Sequence, residues 1–179
     1  IFNNAPNKDE VVINDRWGKV RGKHGGYFTT EYGAGFDNPE VIWEENRGIG
    51  MSFGFNREET LDDYNSAKQL ILMLVDTVSR GGNLLLDIGP THDGRIPVVM
   101  EERLAEIGDW LAVNGEAIYG SRRWTVDAQW SDGKRPVFSK EDHHSGRALL
   151  ESTVAPKSGY AFRQAMFTQN EDQLYAMTP

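Results

Sequence analysis

The chain has 179 residues, with 27 Asp and Glu against 19 Lys and Arg, a net charge of −8 and no cysteine. That length supports one domain with a real core but falls short of the roughly 250 residues typical of a complete (β/α)8 barrel. The acidic balance argues against nucleic acid as a partner, because such binding rests on Lys and Arg neutralising phosphates; the absence of cysteine rules out disulfides and thiolate metal sites.

In chain order, Val11-Val12-Ile13 is a short β-branched run ended by polar Asn14-Asp15-Arg16, which predicts a buried strand with a functional C-terminal edge. The glycine-rich stretch from Gly22 to Gly35 reads as a loop too long to be a mere connector. Ile49 to Phe55, with glycines interleaved, predicts a second strand. Ser66 and Gln69 have capping-box spacing, so a helix is expected from there to about Arg80. It would bury Leu70, Leu74, Val75 and Val78 and stop at Gly81-Gly82. The run Leu70 to Val75 is the longest apolar stretch, far below the roughly 20 residues of a membrane span.

Leu84-Leu85-Leu86 lacks alternation, as a parallel strand covered on both faces would. Pro90 to Gly94 turns the chain, and Pro97 opens a helix with an apolar stripe of Leu104, Ile107 and Leu111, ended by Asn114-Gly115. This order is α/β. After Trp124 the character changes. Residues 125–160 read as irregular and polar, whereas Tyr160 to Phe167 and Gln173 to Met177 flank a turn and predict a hairpin. A domain boundary is therefore expected near Trp124, between residues 1–124 and 125–179. Both ends of the sequence read as cut, since it opens without Met and stops on an apolar alternation.

Five segments stand in order between Val11 and Trp124: Asn14-Asp15-Arg16-Trp17-Gly18; His24 to Tyr32; Trp43-Glu44 with Ser52 to Asn56; Leu74 to Pro90; and Asn114 to Gly120. In this order and spacing they resemble glycoside hydrolase family 29, the α-L-fucosidases. The resemblance implies the C-terminal half of a (β/α)8-like, TIM-type barrel, without its N-terminal half, followed by the first strands of a β-sandwich. It also implies a retaining hydrolase that releases terminal α-L-fucose from glycans or glycoconjugates without a cofactor or metal. A periplasmic, secreted or lysosomal location would follow.

Family members take their nucleophilic Asp from upstream of the Asn-Asp-Arg-Trp motif. Asp9 sits in a charged loop with no strand before it, so the nucleophile is expected to lie outside this chain and the 179 residues alone to be inactive. Glu31 matches the general acid/base; Glu44 and Glu45 are its rivals, and an ordinary surface glutamate is the bland alternative. Arg16 matches a substrate-binding arginine, against a structural ion pair with Asp15 or Glu44. Phe53 matches an aromatic on the apolar side of fucose, against a core Phe. Trp17, more framework than contact, and Tyr32 complete the substrate-side set. His143-His144 carries no metal-ligand spacing. Asp87 stands where the family usually has Asn. Two other functions remain open: a non-catalytic barrel fragment that binds sugar at most weakly, and a retaining glycosidase of different sugar specificity.

Overall fold

A computed structural model describes residues 4–8, 10–17 and 26–179. Asp9, Gly18, Gly22 and His24, named above, lie outside the described residues.

Three parallel strands form one sheet in the order β1 (Phe28–Glu31), β2 (Trp43–Gly48), β3 (Gly82–Asp87). Helices α1 (Ala67–Ser79) and α2 (Val98–Asn114) follow β2 and β3 respectively. The expected α/β character is therefore present. α1 has the anticipated ends: Ser66 accepts from the Gln69 backbone N–H, and the Gln69 side chain accepts from the Ser66 N–H. Gly81 ends it at φ +84°, a conformation that costs a side-chain-bearing residue energy.

The strands differ from expectation. Val11 to Ile13 is not a strand: Val12 is 75% exposed, and among the described residues the backbone pairing beside it is an isolated parallel bridge, Asn14–Tyr27. β1 falls inside the stretch expected to be loop, and β2 precedes Ile49 to Phe55, which is irregular. The apolar run misled because β2 buries charge: Glu45 is fully buried and pairs with Arg47, Nε to Oε1 3.1 Å. β3 is not covered on both faces either, since Leu85 is 42% exposed.

A second sheet is antiparallel, in the order β4 (Arg122–Trp130), β5 (Arg163–Asn170), β6 (Gln173–Met177). The anticipated hairpin is β5–β6. Residues 125–160, expected to be irregular, contain most of β4 and the short helices α3 (Lys140–His144) and α4 (Arg147–Leu149). The Trp124 division falls within β4.

α1 lies between the sheets. Leu70 and Met73 join Ile49, Met100 and Leu149 in one core, whereas Leu72 and Val75 join Ala128, Trp130 and Met166 in another. Packing on two sides explains why Asp76, Thr77 and Ser79 are buried while Leu74 and Val78 are only half-buried. α2 touches the core through Met100 and Ile107, leaving Leu104 exposed.

The charge this burial strands, on Asp76, is paired, as a low-dielectric interior requires. Asp76 receives Arg80 at 2.6 Å, Arg163 at 3.1 Å and the Thr153 hydroxyl at 3.0 Å. Arg163, on β5, stacks over Trp130 at 4.4 Å. One carboxylate thus ties α1 to the second sheet.

Candidate active site

Side chains alternate along a strand, and residues in register across a sheet share a face. Thr30, Trp43, Glu45 and Arg47 lie on one face; Thr29, Glu31, Glu44, Asn46, Asn83, Leu85 and Asp87 lie on the other. The first face is largely buried; the second, apart from buried Thr29, is exposed or half-buried and unusually polar. Parallel α/β folds bind ligands beyond the C-terminal ends of their strands, and Glu31 is the last residue of β1.

The segment 14–17 reaches that edge through a tight contact. The Tyr27 N–H donates to the Ile13 carbonyl at 3.1 Å, and a Cβ on Gly26 would sit 1.9 Å from that same oxygen. Only glycine allows this approach, which places Asp15 and Arg16 beside β1. Asp15 is buried and accepts from both the backbone N–H (3.0 Å) and the hydroxyl (2.9 Å) of Thr29. The Thr29 hydroxyl in turn accepts from Arg16 Nε at 2.6 Å, and Arg16 Nη2 reaches Glu31 Oε1 at 2.8 Å. Asp15 therefore orients Arg16 chiefly through Thr29, its own carboxylate standing 4.0 Å from Nε. The fork of Arg16 meets buried Thr29 with one nitrogen and exposed Glu31 with another.

The rivals of Glu31 occupy different surroundings. Glu45 is sealed on the opposite face, paired with Arg47 and hydrogen-bonded by the Thr30 hydroxyl. Burial pushes its carboxyl up, against the opposing charge of Arg47. Glu44 lies on the same face as Glu31, in register with Thr29, and burial raises its carboxyl too.

Tyr32 follows Glu31 with φ +49°, a left-handed conformation rarely adopted by a bulky residue and costing on the order of 1–2 kcal/mol. Its ring meets Phe53 edge-on, centroids 4.9 Å apart. Phe53 is half-buried in the irregular segment after β2, so it is neither in a core strand nor at a strand end. Trp17 is 61% exposed, beside Arg16 in sequence. The candidate residues Arg16, Glu31, Tyr32 and Phe53 are thus joined by direct contacts in the order Arg16–Glu31, then Tyr32–Phe53.

A separate cluster lies toward α3. Asp37 holds His143 Nε2 at 2.8 Å, Arg80 at 3.8 Å and Arg135. Burial alone would raise the Asp37 carboxyl, but the His143 hydrogen bond and the Arg135 and Arg80 charges hold it well below the usual carboxylate range. Adjacent His144 is exposed and shares no partner with His143 among those described. Among the described residues no group of three or more His, Asp or Glu could hold a metal ion, and none of the helices is long and apolar enough to cross a membrane.

Comparison with known proteins gives a consistent result. The family model described as alpha-L-fucosidase matches residues 1–116. An alpha-L-fucosidase of Branchiostoma floridae is 49% identical over 148 residues, covering 79% of this chain and 32% of that protein. The tissue alpha-L-fucosidase of Homo sapiens is 44% identical over 141 residues, covering 77% and 30%. The crystal structure of a Thermotoga maritima alpha-fucosidase superposes with a TM-score of 0.66 at 36% identity, covering 92% of this chain and 30% of that one. The chain spans about a third of the length of the curated relatives it matches.

Proposed function

The chain belongs to the α-L-fucosidase family, and from that premise we propose that it forms part of a retaining hydrolase releasing terminal α-linked L-fucose from glycans or glycoconjugates. The parallel sheet with α1 and α2 is then part of a (β/α)8-like barrel, and the antiparallel sheet begins a β-sandwich, with the division near Trp124. The substrate is a fucosylated oligosaccharide or glycoconjugate.

In this proposal Glu31 is the general acid/base and an Asp upstream of Asn14 is the nucleophile. The Asp carboxylate bonds to the anomeric carbon as the bond to the leaving oxygen breaks, and Glu31 gives that oxygen its proton. Glu31 then takes a proton from water as the water oxygen attacks the anomeric carbon and the Asp departs, so that configuration is retained. Arg16 binds sugar hydroxyls with the donors that Thr29 and Glu31 leave over, and orients Glu31 for proton transfer. Phe53 and the ring of Tyr32 supply an apolar wall for the fucose methyl, with Trp17 framing the same side.

The observation that carries the assignment is the contact of Arg16 with Glu31 at the C-terminal end of β1, on the sheet face that is open and polar. One observation favours a second reading: Glu44 shares that face and burial raises its carboxyl, a property useful in an acid. The test of the activity is hydrolysis of para-nitrophenyl α-L-fucoside by the complete protein, beside the corresponding β-galactoside. Turnover of the fucoside alone is expected; preference for the galactoside would overturn the proposed specificity.

A further inference from the structure

We propose that Tyr32 is a positioning residue: its hydroxyl fastens the end of β1, and with it Glu31, to the segment that carries Phe53. This rests on Glu31 being the acid/base. Three observations meet at Tyr32. It has a left-handed backbone immediately after Glu31, with φ +49°, and such outliers persist only where surrounding contacts over-determine them. Its backbone N–H donates to the Asn46 carbonyl at 3.2 Å, extending the β1–β2 ladder one residue past Glu31.

The hydroxyl does the rest. It accepts from the Gly48 N–H at 3.1 Å and faces the Gly50 carbonyl at 3.5 Å, while the ring lies edge-on to Phe53. Burial raises its pKa, so the phenol stays neutral and keeps both roles. A Cβ at Gly48 would come within 2.2 Å of the Ser52 carbonyl oxygen and 2.8 Å of the Tyr32 oxygen, so glycine there leaves room for both. Arg47, whose guanidinium lies 5.5 Å from the ring centroid and donates to the Gly33 carbonyl, closes the other side of the turn.

The geometry separates two parts of one side chain. The ring belongs to the wall that Phe53 presents to the sugar, whereas the hydroxyl points to backbone and has no donor left for substrate. Substrate pressed against Phe53 would therefore be registered, through Tyr32, with the carboxyl that must reach the glycosidic oxygen. An error of about 1 Å in such placement costs rate steeply.

The experiment compares the complete enzyme with its Tyr32→Phe and Glu31→Gln variants across aryl α-L-fucosides whose phenols range from acidic to weakly acidic. In kcat/KM, which reports the step that forms the glycosyl-enzyme, Glu31→Gln should lose little on the most acidic phenol and most on the least acidic. Tyr32→Phe should follow the same trend, losing roughly ten- to a hundredfold in kcat on the least acidic phenol with KM nearly unchanged. A rise in KM alone, a loss uniform across the series, or unaltered kinetics each overturns the positioning role. A flat series for Glu31→Gln would instead remove the acid/base assignment, and the proposal for Tyr32 with it. If Tyr32→Phe does not fold, Tyr32→Asn, suited to the left-handed backbone, is read by its kcat trend across the series, since loss of the ring raises KM as well.

Discussion

Arg16 and Glu31 meet at the open edge of β1, Nη2 to Oε1 2.8 Å, and the same guanidinium is anchored by its Nε on Thr29 at 2.6 Å. The arginine is thus set by buried Asp15, acting mainly through Thr29, and it presents its remaining donors outward.

Arg16→Lys should be damaging because a single ammonium cannot hold Thr29 and Glu31 together and still bind sugar. The expected result in the complete enzyme is a fall in kcat/KM of roughly a hundredfold, corresponding to about 3 kcal/mol of lost charge-assisted bonding. Near wild-type kinetics with unchanged fucose affinity would refute the role.

In the proposed function Phe53 sets specificity. L-Fucose differs from L-galactose by lacking the C6 hydroxyl, so an apolar wall favours it by about 1 kcal/mol for the methyl and roughly 1–3 kcal/mol against an unpaired hydroxyl. Phe53→Ala should narrow the ratio of kcat/KM values for α-L-fucoside and L-galactoside by at least about fivefold. Because Phe53 is only half-buried, the melting point should fall by less than the roughly 3–5 kcal/mol of a core Phe truncation implies. A large stability loss with an unaltered ratio would decide for a packing role.

Asp37 makes a pH-dependent contribution to stability. Its folded-state pKa is lowered below the unfolded value near 3.9, so its stabilisation is fully present above that value and is lost as pH falls through the lowered one. Asp37→Asn should therefore melt below wild type near neutrality, and the gap should close in acid below about pH 4. A gap independent of pH would contradict the ion cluster with His143, Arg80 and Arg135.

Arg163→Met tests the tie between α1 and the second sheet. It removes a buried cation from Asp76, and breaking such a pair typically costs about 3–5 kcal/mol. Thermal unfolding should show a loss in that range, and a change under about 1 kcal/mol would mean that Arg80 and Thr153 suffice for Asp76.

What the sequence revealed depended on how local the signal was. Both ends of α1 were legible because Ser66 and Gln69 cap each other within one turn and Gly81 supplies the left-handed stop. The hairpin of β5 and β6 was legible for the same reason, its turn lying between two alternating runs. β1 was hidden among glycines, since four residues give too short a period to read. β2 has no apolar alternation to read, because the charged Glu45 and Arg47 take its buried positions. Their spacing of two, with opposite signs, was the available clue that they share one strand face. In the site, residue types followed the family motifs, but the Arg16–Glu31 and Tyr32–Phe53 contacts depend on chain segments brought together by folding. Nothing local announced Asp37, whose partners come from α1, the segment after β4 and α3.

Whether Glu31 gives and takes the proton is decided by leaving-group dependence together with azide rescue. Glu31→Gln in the complete enzyme should lose activity heavily on fucosylated glycans, whose leaving groups need a proton, and far less on activated aryl fucosides. Glu31→Ala with added azide should regain turnover of the aryl substrate and release β-fucosyl azide, because azide attacks the glycosyl-enzyme without needing a base. Equal losses on both substrate types, with no azide product, would contradict the assignment and transfer the role to Glu44.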